Sequence, residues 1–209
     1  MLIKEIMHGD VISVTPQTKL CEAYKIMNEN KIRHLPVLEN EKLVGIVTDR
    51  DLRYATSKLA ETPFDPDAEV AEVMTKQVIT AHPEDPIETA ARIMRDLKIS
   101  SLVVVENERV KGIVTGIDLL DALLLLTGVR RPSGRLDVRL TDRAGELAKL
   151  TALLAEKNIN IHSVLSYHEK DDRVRVVLRL NTMEIRNIAE ELCALGIEVI
   201  WPVHVSCSN

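Results

Sequence analysis

The hydrophobic and polar residues in the first two thirds of the chain follow one repeated pattern of strands and helices. Apolar residues at 20, 23, 26 and 27 have helical spacing, so we predict an amphipathic helix capped by Thr18. Short apolar runs at 11–14, 34–38 and 42–48 predict strands, and the polar residues 39–41 predict a hairpin between the last two. A second helix is expected to begin at Asp49.

The same pattern returns 67 residues later. The segment Gly45-Ile46-Val47-Thr48-Asp49-Arg50-Asp51 becomes Gly112-Ile113-Val114-Thr115-Gly116-Ile117-Asp118. About twenty of the forty-six positions from Met7 to Leu52 are identical in the two copies without a gap. This internal duplication predicts two copies of one structural unit, separated by a segment with two prolines that cannot continue a helix.

Each copy of the seven-residue segment ends a buried strand with a hydroxyl and begins a helix that carries an aspartate. The threonine hydroxyl and the free N–H groups at a helix start can hydrogen-bond a phosphate. A carboxylate three residues later can accept from the paired hydroxyls of a ribose. The alternative is ordinary capping, with a threonine N-cap and an acidic residue in the first helical turn. Two copies in one frame favour a nucleoside site.

A different order of elements follows the basic connector at 128–134. Alternating apolar residues predict strands at 135–141, near 161–167, at 174–178 and at 198–205. Leu147, Leu150, Leu153 and Leu154 predict a helix after the first strand, and a second helix at 183–195 should stop at Gly196. This βαββαβ order predicts an antiparallel ferredoxin-like sheet with two helices on one face.

Composition narrows the class of protein. The 209 residues are 45% hydrophobic but only 2% aromatic, with a net charge of −5. We expect an aliphatic core and no nucleic-acid binding, which usually needs a basic face and stacking side chains. The amino terminus lacks a signal-peptide apolar region, and the longest apolar stretch, 122–126, is far shorter than the ~20 residues of a membrane helix. The sequence thus predicts a cytoplasmic protein with no membrane association.

Cysteine and histidine residues are not spaced for metal binding. The three cysteines are scattered without a Cys-x-x-Cys pair, which predicts reduced thiols and no structural zinc. His162, His168 and His204 likewise show no metal-site spacing. We find no nucleophile–base pair and no Gly-Lys-Thr/Ser phosphate loop. The sequence therefore predicts no catalytic residue, no metal and no catalytic cofactor.

The duplicated copies resemble a pair of cystathionine-β-synthase (CBS) domains. Each copy ends in Gly-h-h-Thr-x-x-Asp, where h is hydrophobic, and Leu35-Pro36-Val37 precedes the first of these motifs. The resemblance implies a pseudo-two-fold pair that binds AMP, ADP, ATP or another adenosyl ligand in the clefts between copies. The second copy departs from the pattern, with Val103 at the position of Pro36 and Gly116 at that of Asp49.

The resemblance also implies roles for individual residues. Thr48 and Thr115 fall where the family contacts phosphate or ribose, and Asp51 and Asp118 fall on its ribose-binding aspartate. The adenine pocket is implied to involve Ile12 and Ile79 and the backbone around Leu35 and Leu102. Basic residues near the first motif complete the predicted nucleotide site, which comprises Ile12, Arg33, His34, Leu35, Thr48, Arg50, Asp51, Ile79, Leu102, Thr115 and Asp118.

The two clefts are predicted to be unequal. Arg33, His34, Arg50 and Arg53 lie near the first motif, whereas the aligned residues of the second copy are Ser100, Ser101, Ile117 and Leu120. Guanidinium groups pair phosphate oxygens in a planar fork. We therefore predict that the first cleft prefers a phosphorylated ligand. The alternative is that the arginines are solvated surface charges, and for Arg53 this is the preferred interpretation.

The last third resembles an ACT domain. Asp142-x-x-Gly145-x-Leu147 and Asn158-Ile159-Asn160-Ile161 match that family's first turn and second-strand entry. The resemblance implies that a small effector, such as an amino acid, binds near Asp142, Ala144, Gly145 and Leu147. Ala144 stands where the family often has proline. A glycine required only for packing of helix on strand is the alternative. The order CBS–CBS–ACT resembles the acetoin-utilisation protein B family.

These observations predict an α/β and α+β chain: CBS domain 1 at 1–60, a linker at 61–69, CBS domain 2 at 70–127, a linker at 128–134 and an ACT domain at 135–206. We expect a non-catalytic, homodimeric regulatory protein that senses an adenine nucleotide, together with a small effector, and controls a partner enzyme. Two alternatives stay open: a structural oligomerisation module without a ligand, and an enzyme.

Overall fold

The computed structural model describes residues 1–57 and 63–205. The chain divides into two compact units, Met1–Leu120 and Asp121–Asn209. The end of the predicted first domain, the first residues of the predicted linker and the last residue of the predicted ACT domain fall in 58–62 and 206–209, outside the described residues.

The first copy forms the elements that its pattern predicts. They are α1 (Leu20–Asn30), β1 (His34–Glu39), β2 (Lys42–Thr48) and α2 (Asp49–Ala55). Strands β1 and β2 pair antiparallel, and the turn residues Asn40 and Glu41 have φ angles of 49° and 64°. Positive φ at both turn residues is the geometry of a tight two-residue hairpin. The polar turn therefore closes the hairpin that the sequence predicts.

Two details of the first copy differ from the prediction. The strand expected at 11–14 is reduced to a single parallel bridge from Val14 to Val37. Lys19, not Thr18, is the N-cap of α1. The Thr18 hydroxyl instead accepts a hydrogen bond from the backbone N–H of Thr15 at 3.1 Å, so it closes the preceding turn.

The second copy repeats this arrangement. It contains α3 (Val70–Val73), β3 (Thr80–Ala81), α4 (Ile87–Leu97), β4 (Ser101–Glu106), β5 (Arg109–Thr115) and α5 (Gly116–Leu126). Its sheet has the order β3-β4-β5. Helices α1 and α4 end in the same way, at Lys31 and Lys98, both with a φ of 55°. The duplication in sequence is thus a duplication in structure.

The N-terminal segment of each copy packs on the other copy. Ile3, near the start of the first copy, is fully buried among core residues of the second, and Val70, at the start of the second, is fully buried in the core of the first. His8 exchanges two backbone hydrogen bonds with Ile113 on β5, at 2.9 and 3.0 Å. Thr75 exchanges the equivalent pair with Ile46 on β2. The two copies are therefore interlocked rather than laid side by side.

Glycine makes this close approach possible. A Cβ on Gly112 would lie 2.8 Å from the carbonyl oxygen of His8 and 2.7 Å from the sulfur of Met7. A Cβ on Gly45 would meet the Met74 sulfur at 2.5 Å, with the Thr75 carbonyl oxygen farther away at 3.3 Å. The first glycine of each repeated motif is thus required by packing against the segment from the other copy.

The second unit has the predicted ferredoxin-like topology. Its elements are β6 (Gly134–Thr141), α6 (Glu146–Glu156), β7 (Ile161–His168), β8 (Arg173–Leu180), α7 (Ile185–Ala194) and β9 (Glu198–Trp201). The four strands form an antiparallel sheet in the order β7-β8-β6-β9. Buried residues of β6, β8 and both helices share one aliphatic core, which places both helices on the same face. The predicted fold class is confirmed.

The predicted ends of some elements are wrong in this unit. The last strand stops at Trp201 because Pro202 follows, and proline has no N–H for the ladder. Leu147, expected on the apolar face of α6, is 43% exposed, whereas Leu150 and Leu154 are buried.

Cys193 is disulfide-bonded, contrary to the expectation of reduced thiols, because scattered positions in sequence do not show which side chains meet. None of the described helices has the length and apolar character to cross a membrane.

We predict that Gly112→Ala destabilises the first unit more than Gly45→Ala. The added methyl group of Gly112→Ala meets backbone at His8, whereas that of Gly45→Ala mainly meets a flexible methionine side chain. Overpacking of this kind costs about 1–3 kcal/mol, and we expect Gly112→Ala to reach that range. Urea unfolding measures the difference. Gly9→Ala is the control, because its methyl group would meet only the Lys111 carbonyl oxygen, at 3.9 Å. Equal losses for all three variants would contradict the packing role.

Candidate functional site

A cavity of about 900 Å³ lies between the two copies in the first unit. The first copy contributes the ends of β1 and β2 and the helix α2, and the second contributes residues before β3 and between α4 and β4. The cavity is lined by Arg33, His34, Ile46, Thr48, Asp49, Arg50, Asp51, Arg53, Tyr54, Ser57, Thr75, Gln77, Val78, Ile79, Lys98, Ile99, Ser100 and Ser101.

The threonine and aspartate of the first motif form one hydrogen-bonded unit on the cavity wall. Asp51 Oδ2 accepts from the backbone N–H of Thr48 at 2.9 Å and from its hydroxyl at 2.7 Å. The Thr48 hydroxyl accepts in turn from the Asp51 N–H at 3.2 Å. This capping box fixes the carboxylate. Among the described residues Oδ1 of Asp51 has no partner, so capping and ligand binding are compatible at this residue.

Cationic side chains surround this carboxylate. Arg50 lies over the Tyr54 ring at 5.3 Å, and its hydrogen bond to the Tyr54 hydroxyl raises the pKa of the guanidinium. Arg53 is paired with Asp49. Arg33 and Lys98 also line the cavity, and within the described part of the chain neither has an ion-pair partner. The cavity therefore holds more positive than negative side chains.

His34 lies where the two copies meet. Its Nε2 is 2.7 Å from the hydroxyl of Ser100, and positions 33–34 are equivalent to positions 100–101 in the repeat. The contact thus lies close to the pseudo-two-fold axis. Burial lowers the pKa of His34, and the neighbouring Arg33 lowers it further. The imidazole is therefore neutral near pH 7 and can donate or accept a hydrogen bond.

Aliphatic side chains form another part of the wall. Ile46, Val78, Ile79 and Ile99 line the cavity, and Ile79 is 42% exposed. An exposed isoleucine is unfavourable in water but offers a surface on which a flat ring can pack. The cavity thus joins an apolar surface, a fixed carboxylate and a group of cations.

The second motif has the same internal geometry but a different neighbour. Asp118 Oδ2 accepts from the N–H and hydroxyl of Thr115 at 2.7 and 2.8 Å. Its Oδ1, however, is 2.9 Å from Nε2 of His8, and the residue is only 8% exposed. Asp118 and Thr115 do not line the cavity.

Of the residues predicted for the nucleotide site, six meet in the cavity: Arg33, His34, Thr48, Arg50, Asp51 and Ile79. Ile12, Leu35, Leu102, Thr115 and Asp118 do not. Leu35 and Leu102 do not reach the cavity because their side chains are fully buried in the cores of their copies. Sequence reasoning missed Thr75, Gln77 and Lys98, which come from the second copy. The repeat register could have found them, because Ile79 belongs to the same segment as Thr75 and Gln77.

The predicted effector turn of the second unit is open to solvent. Asp142, Ala144, Gly145 and Leu147 are all exposed, and the cavity described above does not include them. Gly145 has a φ of 93° and is the N-cap of α6. Asp142 Oδ2 is 3.0 Å from Nδ1 of His168, so the turn is tied to the end of β7. The positive φ favours glycine at this position whether or not a ligand binds.

The chain matches two family models. The model of the CBS domain matches residues 3–58 and 70–125, and that of the ACT domain matches residues 134–197. A CBS domain-containing protein of Dictyostelium discoideum is 34% identical over 137 residues, which are 59% of this chain and 92% of that protein. An inosine-5′-monophosphate dehydrogenase of Aquifex aeolicus is 33% identical over 78% of this chain, but the chain spans only 33% of the enzyme.

Solved structures show the same relationship. A crystallised CBS domain pair in complex with 5′-methylthioadenosine and S-adenosyl-L-methionine is 32% identical, with a TM-score of 0.54 over 63% of this chain and 98% of that one. An acetoin utilization protein (AcuB) from Vibrio cholerae is 30% identical, with a TM-score of 0.52 over 62% and 95% of the two chains. The chain therefore belongs to the CBS-domain family, as a tandem pair of CBS domains followed by an ACT domain.

Proposed function

We propose that the protein is a regulatory sensor that binds an adenosine ligand in the cavity between its CBS domains. The observation that carries this proposal is Oδ1 of Asp51, which no described residue bonds and which the capping box holds within a cavity that also offers cations and an aliphatic wall. The CBS pair solved with 5′-methylthioadenosine and S-adenosyl-L-methionine supports the choice of an adenosyl ligand.

Each part of an adenine nucleotide has a counterpart in the cavity. The carboxylate of Asp51 accepts from the ribose hydroxyls, and the Thr48 hydroxyl lies beside it. The adenine ring packs on Ile79 and its aliphatic neighbours. Arg33, Arg50 and Lys98 then face the anionic end of the ligand, which is a phosphate in AMP, ADP or ATP. Guanidinium groups suit that charge because they donate two parallel hydrogen bonds to phosphate oxygens.

A ligand in this position is suited to regulation. The cavity wall is built from both copies, so a bound nucleotide favours one arrangement of the two copies over others. We propose that this preference controls a partner enzyme, and that an amino-acid effector at Asp142, Ala144, Gly145 and Leu147 adds a second input. The matches to enzymes cover only 22 to 41% of each enzyme, and 33% of the dehydrogenase of Aquifex aeolicus. That likeness therefore supports a regulatory module rather than an enzyme.

The structural-module alternative predicts a folded chain that binds no nucleotide. Isothermal titration with AMP, ATP, NADH and S-adenosylmethionine separates the two functions. Binding of an adenosine ligand at micromolar concentration supports the sensor, whereas a flat titration with all four ligands contradicts it. Product analysis after incubation with ATP tests for an enzymatic activity.

Asp51→Ala is expected to weaken adenosine-ligand binding about 10- to 150-fold, because a charge-assisted hydrogen bond contributes ~1.5–3 kcal/mol. Asp118→Ala is the matched control, since both variants lose the same capping hydrogen bonds. Titration calorimetry and thermal unfolding of both variants check this. Lower melting temperatures in both, with a loss of affinity in Asp51→Ala alone, are the expected result. Unchanged affinity in Asp51→Ala would mean that Asp51 caps α2 but does not bind the ligand.

Arg33→Ala is expected to weaken AMP binding about 10-fold and to leave adenosine binding unchanged, because the guanidinium contacts only the phosphate. Arg53→Ala is the control, because Arg53 is already paired with Asp49. Wild-type protein should bind AMP more tightly than adenosine in parallel titrations. Equal affinities for AMP and adenosine would mean that the cations of the cavity are solvated and do not select a phosphate.

We propose that the protein is a homodimer in which the CBS pair and the ACT domain both make contacts. The α5 helix supports this, because Leu120, Leu123, Leu124, Leu125 and Leu126 are each more than two fifths exposed. Multi-angle light scattering at micromolar concentration should give the mass of a dimer. Leu125→Glu is expected to shift the mass towards a monomer, whereas Leu97→Glu, on an exposed position of α4, should not. A monomeric wild type would contradict the proposal.

A further inference from the structure

The side chain of His8 contacts the aspartate of the second motif, and the equivalent position in the first cleft is occupied by the smaller Thr75. His8 and Thr75 are equivalent positions of the repeat, and they make the same pair of backbone hydrogen bonds to Ile113 and Ile46. Gly112 and Gly45 both let these segments approach closely, although the approach to the backbone is tighter at Gly112. The hydrogen-bonded backbone frame is therefore shared, and the main difference between the clefts lies in the side chains.

Those side chains leave the two carboxylates in different states. Thr75 lines the cavity, and among the described residues nothing bonds Oδ1 of Asp51. In the second copy Nε2 of His8 is 2.9 Å from Oδ1 of Asp118. Because a carboxylate only accepts, the imidazole nitrogen donates this hydrogen bond. A ribose hydroxyl would have to donate to the same oxygen, so it competes directly with His8.

Neighbouring residues also make the second cleft a weaker phosphate site than the first. The positions equivalent to Arg50, Arg53 and Gln77 are Ile117, Leu120 and Asp10. Two cations are thus replaced by aliphatic side chains and a neutral amide by an acid. A nucleotide entering this cleft would break the His8–Asp118 hydrogen bond and would lack counterparts of Arg50 and Arg53, although Lys31 stands at the position of Lys98.

We propose that His8 keeps the second cleft closed to nucleosides, so that each chain binds one adenosine ligand, in the cleft of Asp51. This inference rests on the proposed function for its ligand class and adds the residue that sets the number of sites. It also predicts the change that opens the second cleft. His8→Thr places in the second cleft the residue that the first cleft has, and frees Oδ1 of Asp118.

Titration calorimetry of the full-length chain with adenosine and with AMP tests the inference through the number of sites. Wild-type protein should bind one molecule per chain, and His8→Thr should bind two. The second molecule should prefer AMP over adenosine less strongly than the first does, because Ile117 and Leu120 replace Arg50 and Arg53. His8→Thr/Asp51→Ala should keep one site, and His8→Thr/Asp118→Ala should return to one. Asp51→Ala with His8 intact should bind at least 10-fold more weakly than wild type.

The outcomes separate this inference from the proposed function. Two sites in the wild type, or one site in His8→Thr, would overturn the role of His8. If the wild type binds neither ligand, the proposed function is wrong at the first cleft. A site gained by His8→Thr would then still support the inference, and no gained site would overturn it. His8→Ser serves as a second variant, and circular dichroism confirms that both are folded. Folding should be kept because the backbone hydrogen bonds of His8 do not depend on its side chain.

Discussion

The first unit depends on the close contact between each copy's glycine-bearing strand and the N-terminal segment of the other copy. Ile113 and Ile46 can exchange backbone hydrogen bonds with His8 and Thr75 only because Gly112 and Gly45 leave room for the neighbouring methionines. The same contact sets each segment beside the aspartate of a motif. The close packing at the two glycines therefore holds the copies together and also determines which side chain lies near each carboxylate.

The sequence predicts much of this fold because the duplication shows the same hydrophobic pattern twice. Strand β2 and the start of α2 were predicted to the residue, since an apolar run ending in Thr48 and Asp49 has clear local signals. The order of strands and helices in the second unit is also predicted from local signals, namely the alternating strands and the leucine spacing. The exact ends of the helices and strands are harder to predict from the sequence. Local hydrogen bonds such as that of Thr18 to Thr15 compete with a helix cap, and spacing alone does not show which bond forms.

Apart from Ile79, the candidate site was predictable only in the part that the first copy carries by itself. Thr48 and Asp51 follow from the motif, and their hydrogen bonds are local. The residues from the other copy were missed because they reach the cavity through tertiary packing. The partner of Asp118 was likewise hidden, since His8 is 110 positions away in the chain. Aligning the repeats shows which residues correspond, but it does not show that the N-terminal segment of each copy contacts the motif of the other copy.

The shared wall of the cavity has a thermodynamic consequence. A ligand that contacts Asp51 from one copy and Ile79 from the other binds only while the two copies are docked, so its binding free energy adds to the free energy of unfolding. At a concentration one hundred times its dissociation constant, such a ligand contributes about 2.7 kcal/mol, a large share of the stability of a small domain. The nucleotide pool of the cell would then set how much of this protein is folded, as well as which conformation it adopts.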